Sequence, residues 1–342
     1  MDQNKVKRID YIDALKGFGI FCVLWAHCVQ NFKDGLGSWV YPVNEYILSF
    51  VMPLFFVLSG LFFRSSLKIN LKEFIRKKVV QILFPWFLWS VIIGIYFYFS
   101  MFNKDDINFL KYLKFVFGGN LWFLRELFFS YLTAFVFFKI FKKEYLAIIL
   151  SIVCVLILPF GEHQCYYLPF FISGILIKDN YEYILNNVYK LIVLVTLTYG
   201  ICLFFWDVSF YSINGQIFDW STLSFTFVNL KIAGFRFITG ISGSLFFFLI
   251  FLKLYKDNPF FSYLSKVGKY TLGIYILQVP VLQILLNELI DFPAMSIGVY
   301  CCIVTPVSAF LILEFCYLTL KLAGKNKSVE LILFGSSFQK YK

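Results

Sequence analysis

The apolar positions of this chain fall in long uninterrupted stretches, separated by short segments where the charges collect. Residues 17–32, 46–63 and 79–103 contain no Asp, Glu, Lys or Arg, and similar runs recur as far as residue 313. A helix needs about 20 residues, at about 1.5 Å of rise each, to cross a hydrocarbon core about 30 Å thick. On that measure the pattern predicts about ten transmembrane α-helices. They fall at residues 12–32, 45–64, 79–101, 121–141, 145–161, 163–178, 189–207, 235–253, 270–289 and 295–321. The fifth and sixth are joined by a tight turn at Gly161-Glu162, and the polar stretch 207–235 between the seventh and eighth reads ambiguously. The expected fold class is an all-α polytopic membrane protein, with 1–342 forming a single integral-membrane domain and no soluble domain.

Composition agrees with the pattern. Of 342 residues, 60% are hydrophobic and 15% charged, against about half and about a quarter in soluble domains. The net charge of +11 would suit nucleic acid, but the cations sort by loop. With the N-terminus inside, 24 of the 31 Lys and Arg lie in segments on that side, and Lys33, Lys104, Lys111, Lys114, Lys231 and Arg236 lie in the outer ones. That bias follows the positive-inside rule, places both termini in the cytoplasm and argues against a nucleic-acid partner. The basic N-terminus lacks a small-residue cleavage site and is read as part of a retained first helix. Eight cysteines form no C-x-x-C pair, and His27 and His163 are the only histidines. Neither a disulfide framework nor a metal site is signalled.

The first span carries the most informative chemistry. Arg8, Asp10, Asp13 and Lys16 precede an apolar run that leads to His27. An ionisable residue within a span is costly and is a functional candidate by default. Eleven residues make about three turns, so Lys16 and His27 share one helix face, about 16 Å apart along the axis, with Asp13 one turn below Lys16. His27 reads either as a general base near neutral pH or as a structural histidine bonded to a neighbouring helix, with Lys16 snorkelling to the interface.

Other segments hold further candidates. Arg76, Lys77 and Lys78, with Arg64 and Lys68 nearby, form a basic cluster suited to phosphates or to topology signalling. Trp122 serves as a belt anchor or an acceptor contact. Arg125 and Glu126 either face solvent or approach an acceptor. Ser59 lines a channel or packs helices through the Ser59-Gly60 pair. Glu314 lies inside the tenth span.

In combination these residues resemble the membrane acyltransferase-3 family, bacterial enzymes that move acyl groups from coenzyme A to sugars of surface glycans. The resemblance rests on Arg8…Asp13…Lys16-x10-His27, Met52-Pro53-Leu54-Phe55-Phe56-Val57-Leu58-Ser59-Gly60, Phe74-Ile75-Arg76-Lys77-Lys78 with Gln81 and Pro85-Trp86, Leu121-Trp122-Phe123-Leu124, Leu168-Pro169-Phe170-Phe171-Ile172-Ser173-Gly174, and Lys269-Tyr270-Thr271-Leu272-Gly273-Ile274-Tyr275-Ile276-Leu277-Gln278. It runs in order along essentially the whole chain. Two positions depart from the family pattern: Gln81 stands where a second Arg is common, and Gln278 where many members have His. The resemblance implies an O-acyltransferase in the inner (cytoplasmic) membrane, with acyl-CoA, acetyl-CoA foremost, as co-substrate and no permanently bound cofactor or metal. His27, Asp13 and Lys16 would form the catalytic group, and Arg76, Lys77, Lys78, Gln81 and Ser59 would serve the coenzyme. Trp122, Arg125, Glu126 and Glu314 would serve a glycan or lipid-linked sugar acceptor. The alternative class is a polytopic transporter or glycan exporter with His27 as a proton relay.

Overall fold

Helix accounts for most of the residues described by the computed structural model, which are 3–32, 41–100, 109–119, 121–157, 164–207, 209–210, 217–256, 258–282 and 295–335. In chain order the helices are α1 (Gln3–Asn31), α2 (Pro42–Gly60), α3 (Leu71–Lys78), α4 (Phe84–Ser100), α5 (Phe109–Gly118), α6 (Trp122–Ile140), α7 (Glu144–Ile157) and α8 (Gln164–Asp179). They continue as α9 (Tyr181–Asn186), α10 (Val188–Phe204), α11 (Phe227–Leu254), α12 (Pro259–Gly268), α13 (Thr271–Pro280), α14 (Ile297–Val299), α15 (Thr305–Ala323) and α16 (Lys327–Phe334). A small hairpin, β1 (Phe218–Asp219) with β2 (Ser224–Phe225), occupies part of the ambiguous polar stretch and is the exception to an all-α reading.

Among the described residues, five helical stretches are long and apolar enough to cross a membrane: Asp10–Asn31, Pro42–Lys68, Leu71–Phe99, Phe227–Leu254 and Ile297–Ala323. Shorter apolar helices lie at Glu144–Ile157, Val188–Phe204 and Thr271–Pro280. The molecule is thus a helical multi-pass membrane protein. The turn expected at Gly161-Glu162 lies outside the described residues.

Several boundaries differ from the hydropathy reading because helix propagates through polar sequence next to a span. The third span reaches back through the π-turn Val79–Leu83 into α3, so the basic residues Arg76, Lys77 and Lys78 form the last helical turn of α3 rather than a loop. α11 begins at Phe227 rather than at residue 235, so Lys231, counted in an outer loop, and Arg236, counted with it at the edge of the expected span, both lie within a helix. The short helices start on asparagine caps: Asn70 Oδ1 accepts from Glu73 N at 2.9 Å, Asn258 Oδ1 from Phe261 N at 2.9 Å, and Asn326 Oδ1 from Ser328 N at 3.0 Å. Such caps satisfy amides that the first helical turn leaves without partners.

α1 sits amid the bundle and packs against α12, α15, α2 and α11. Two glycine seams set the closest approaches. Gly17 faces the Leu264 carbonyl while Gly268 faces the Asp13 carbonyl, so α1 and α12 meet backbone to backbone. Gly60 and Gly174 do the same for α2 and α8. Within a membrane, where lipid competes for apolar surface, such small-residue contacts are a main source of helix association. At the C-terminal end of α2, Arg64 makes a two-pronged bond to Glu144 (2.8 and 2.8 Å) and bonds Asp179 at 3.2 and 2.5 Å. Arg64 therefore clamps α7 and α8 and is no part of a free basic cluster.

Candidate functional site

α1 is held from behind by the last span. Trp25 Nε1 donates to Cys301 O and Thr305 Oγ1, both at 3.1 Å, and the buried Tyr300 hydroxyl donates to Val29 O at 2.9 Å. Tyr300–Val304 is a π-turn, a distortion that turns carbonyls aside and is frequent at functional sites. With residues 25 and 29 turned to that wall, the stripe at Lys16, Ile20, Val23 and His27 faces the opposite way, onto two cavities.

The larger cavity, about 220 Å³, is lined by Lys16, Ile20 and Val23 of α1, Met52, Phe55 and Ser59 of α2, Phe123 and Leu127 of α6, and Gly268, Lys269, Thr271, Leu272 and Tyr275. The smaller one, about 40 Å³, is lined by Val23, Ala26, His27, Leu48, Val51, Met52, Trp122 and Tyr275. Val23, Met52 and Tyr275 wall both. Two mostly apolar cavities with a shared wall therefore lie in succession along α1, one lined by two cations and the other by an imidazole.

The imidazole is oriented. Gln30 Nε2 donates to Oδ1 of the fully buried Asn44 at 2.8 Å, which turns Gln30 Oε1 towards His27 Nδ1 at 3.0 Å. Nδ1 then carries the hydrogen, and Nε2 keeps its lone pair. A ring with one nitrogen so fixed can accept a proton at the other. At the opposite end Lys16 Nζ bonds Asp13 Oδ1 at 3.1 Å and lies 5.3 Å from the Phe62 ring centre. Asp13 is 7% exposed. A carboxylate this buried is tolerated because it is paired.

A model of the acyltransferase-3 family, described as an acyltransferase domain, matches residues 9–313. The chain belongs to that family. The match spans nearly all of the helical bundle and makes this multi-pass protein a membrane acyltransferase. Of the two classes raised by His27, the family selects the transferase over the exporter. No match was found among curated proteins or among solved structures.

The acyltransferase-3 residues expected at the site divide into two groups. His27, Lys16, Ser59 and Trp122 line the paired cavities, with Asp13 bonded to Lys16. Ser59 Oγ also donates to Phe55 O at 2.7 Å, its adjoining Gly60 packs on α8, and both readings of the pair hold geometrically. The remaining residues line neither cavity. Arg76 and Lys77 are exposed, whereas Lys78 turns inward with Nζ 3.3 Å from the Tyr131 ring centre, so the basic cluster is split. Tyr131 in turn donates to Ser59 O at 3.2 Å, which joins Lys78 to the cavity wall. Gln81 lies in the π-turn after α3. Arg125 bonds Glu126 at 2.9 Å and donates to Phe117 O at 3.0 Å and Gly118 O at 3.3 Å, capping α5. Glu126 is 1% exposed and does not face solvent, whereas Arg125 is partly exposed. Glu314 accepts a hydrogen bond from Tyr263 and links α15 to α12.

Sequence reasoning missed Lys269, Tyr275, Gln30 and Asn44 as contributors. Lys269 and Tyr275 stood in a quoted family segment without a role. Gln30, one turn after His27, carried an i,i+3 signal. Asn44 carried none.

Proposed function

We propose that this acyltransferase moves an acyl group, acetyl foremost, from cytoplasmic acyl-CoA to a hydroxyl of a surface-glycan sugar or its lipid-linked precursor. The observation that carries the reading is the pair of cavities along α1, which share Val23, Met52 and Tyr275 as walls and of which the second is lined by His27. The coenzyme would approach from the Lys16–Lys269 end, with exposed Arg76 and Lys77 available to its phosphates. Its thin pantetheine arm would follow these cavities and bring the thioester to the imidazole. His27 Nε2 would take the proton of the acceptor hydroxyl as its oxygen attacks the thioester carbonyl. The carbon–sulfur bond breaks, the thiolate departs, and the imidazolium returns its proton to sulfur. Asp13 holds Lys16 in place, and Trp122 supplies an aromatic face for a sugar beside His27. The same reading places both termini in the cytoplasm, about ten spans in the bilayer, and the protein in the inner membrane of a bacterium.

The test is a comparison of surface glycans from cells with and without the gene, scored by NMR for alkali-labile O-acyl esters. Loss of one class of ester on deletion, restored by the gene, is expected. An identical ester profile in the two strains, together with no acyl transfer by the purified protein, would contradict the reading.

A further inference from the structure

Two helix stripes run in opposite chain directions along the site. Lys16, Ile20 and Val23 of α1 line the larger cavity with Ser59, Phe55 and Met52 of α2. Val23 and His27 line the smaller one with Met52 and Leu48. Both sets repeat at three and four residues, as one helix face requires. Leu48 therefore stands at the far end of the α2 stripe, one turn, about 6 Å, beyond the shared wall at Met52. It is buried, and it also walls a third, very small space together with Ser49, Pro53 and Phe170. No other described residue lines both that space and the His27 cavity, so the Leu48 side chain is the partition between them. Its turn of α2 is fixed from outside. Ser49 Oγ donates to Tyr46 O at 2.7 Å and lies 2.8 Å from the Tyr199 hydroxyl, and Phe50 stacks on Phe247 with ring centres 4.2 Å apart.

The His27 cavity measures about 40 Å³. A water-sized group takes about 10–15 Å³ on this measure, so the cavity holds about three or four of them. The two carbons and the oxygen of an acetyl group, with the attacking hydroxyl oxygen, fill that space, and a further methylene overfills it. Packed helices do not yield to an added methylene without strain. The larger cavity gives a longer chain no second course, because the pantetheine arm would occupy it. We propose that Leu48 closes the acyl pocket and restricts this enzyme to acetyl donors. This rests on the acyl-transfer reading above and fixes the acyl group of that same site. The bond changes are the same for every chain length: the acyl carbon leaves sulfur for the acceptor oxygen, and the hydroxyl proton passes through His27 to the thiolate.

The experiment supplies acetyl-, propionyl- or butyryl-CoA to inside-out membrane vesicles of a gene-deletion strain that carries the wild-type protein or a variant. The vesicles' own glycans serve as acceptor, and O-acyl transfer is normalised to protein abundance by immunoblot. In kcat/KM the wild type should prefer acetyl-CoA to propionyl-CoA by about tenfold or more, with butyryl-CoA poorer still. Leu48→Val, one carbon shorter, should bring propionyl-CoA close to acetyl-CoA. Leu48→Ala removes the partition and should admit butyryl-CoA as well; Leu48→Val decides where the Ala variant does not accumulate. Leu127→Ala, in the wall of the larger cavity alone, is the control and should change all three donors alike. Equal use of the three donors by the wild type, or a donor preference unmoved by the Leu48 variants, would overturn the assignment of Leu48 and leave the reaction standing. So would a Leu48 variant that changes only the dependence on acceptor, which would give the small cavity to the sugar. No transfer from any donor would overturn the reaction itself and the acetyl limit with it.

Discussion

Gln30 stands between His27 and Asn44, accepting from one and donating to the other. If its carbonyl fixes the tautomer of the ring, Gln30→Leu removes the Nδ1–H acceptor and the bond that Gln30 gives to Asn44. The expected result is a fall in kcat on the order of tenfold or more, with KM for both substrates nearly unchanged. Gln30→Glu keeps an oxygen towards Nδ1 and should retain more activity than Leu; equal loss in the two would reduce Gln30 to packing. The basic residues of α3 invite a similar separation. Arg76→Gln with Lys77→Gln, both exposed, should raise the apparent KM for acyl-CoA without changing membrane abundance. Lys78→Gln instead gives up a cation–π contact with Tyr131 worth about 0.5–2 kcal/mol, and should lower abundance or thermal stability. Steady-state kinetics with immunoblots on the same membranes distinguish these outcomes. The shared face of Lys16 and His27 was legible in the sequence because helical periodicity alone sets it. Arg236 was not: a tally of cations by loop reads it as an outer-loop residue, whereas helix α11 starts nine residues before it and buries it.

At the scale of elements, the site depends on how closely α1 and α12 approach. The Gly17–Leu264 and Gly268–Asp13 contacts leave no space for a methyl group, and they bring Lys269 to the cavity beside Lys16. Gly268→Ala or Gly17→Ala should push the helices apart, costing about 1–3 kcal/mol and lowering the temperature of half-inactivation in detergent. Gly234→Ala, in α11 with open space around it, is the control and should be silent or mildly stabilising. Equal effects at all three positions would contradict the seam. Local pattern carried much of the element order, since a long apolar run is read without reference to distant residues. The α1–α12 seam joins residues some 250 positions apart and leaves only isolated glycines as its trace. The π-turns at Val79–Leu83 and Tyr300–Val304 likewise follow from packing between helices, not from residue preference.

For the whole molecule, the proposal routes a cytoplasmic donor and an acceptor from the other side to one imidazole within the bilayer. A topology reporter fused after Lys342 should be active only in its cytoplasmic form; activity only outside would invert the assignment of donor and acceptor ends. The most direct test is at His27, which lines the second cavity. His27→Ala and His27→Gln are to be compared for O-acyl transfer and for membrane abundance in the same preparations. A general base supplies about 10²–10⁴-fold in rate, and Gln can bond but cannot take up a proton at neutral pH. Both variants should accumulate normally and lose nearly all transfer. Substantial transfer by the Gln variant, with low abundance of the Ala variant, would make His27 a structural residue and contradict the account.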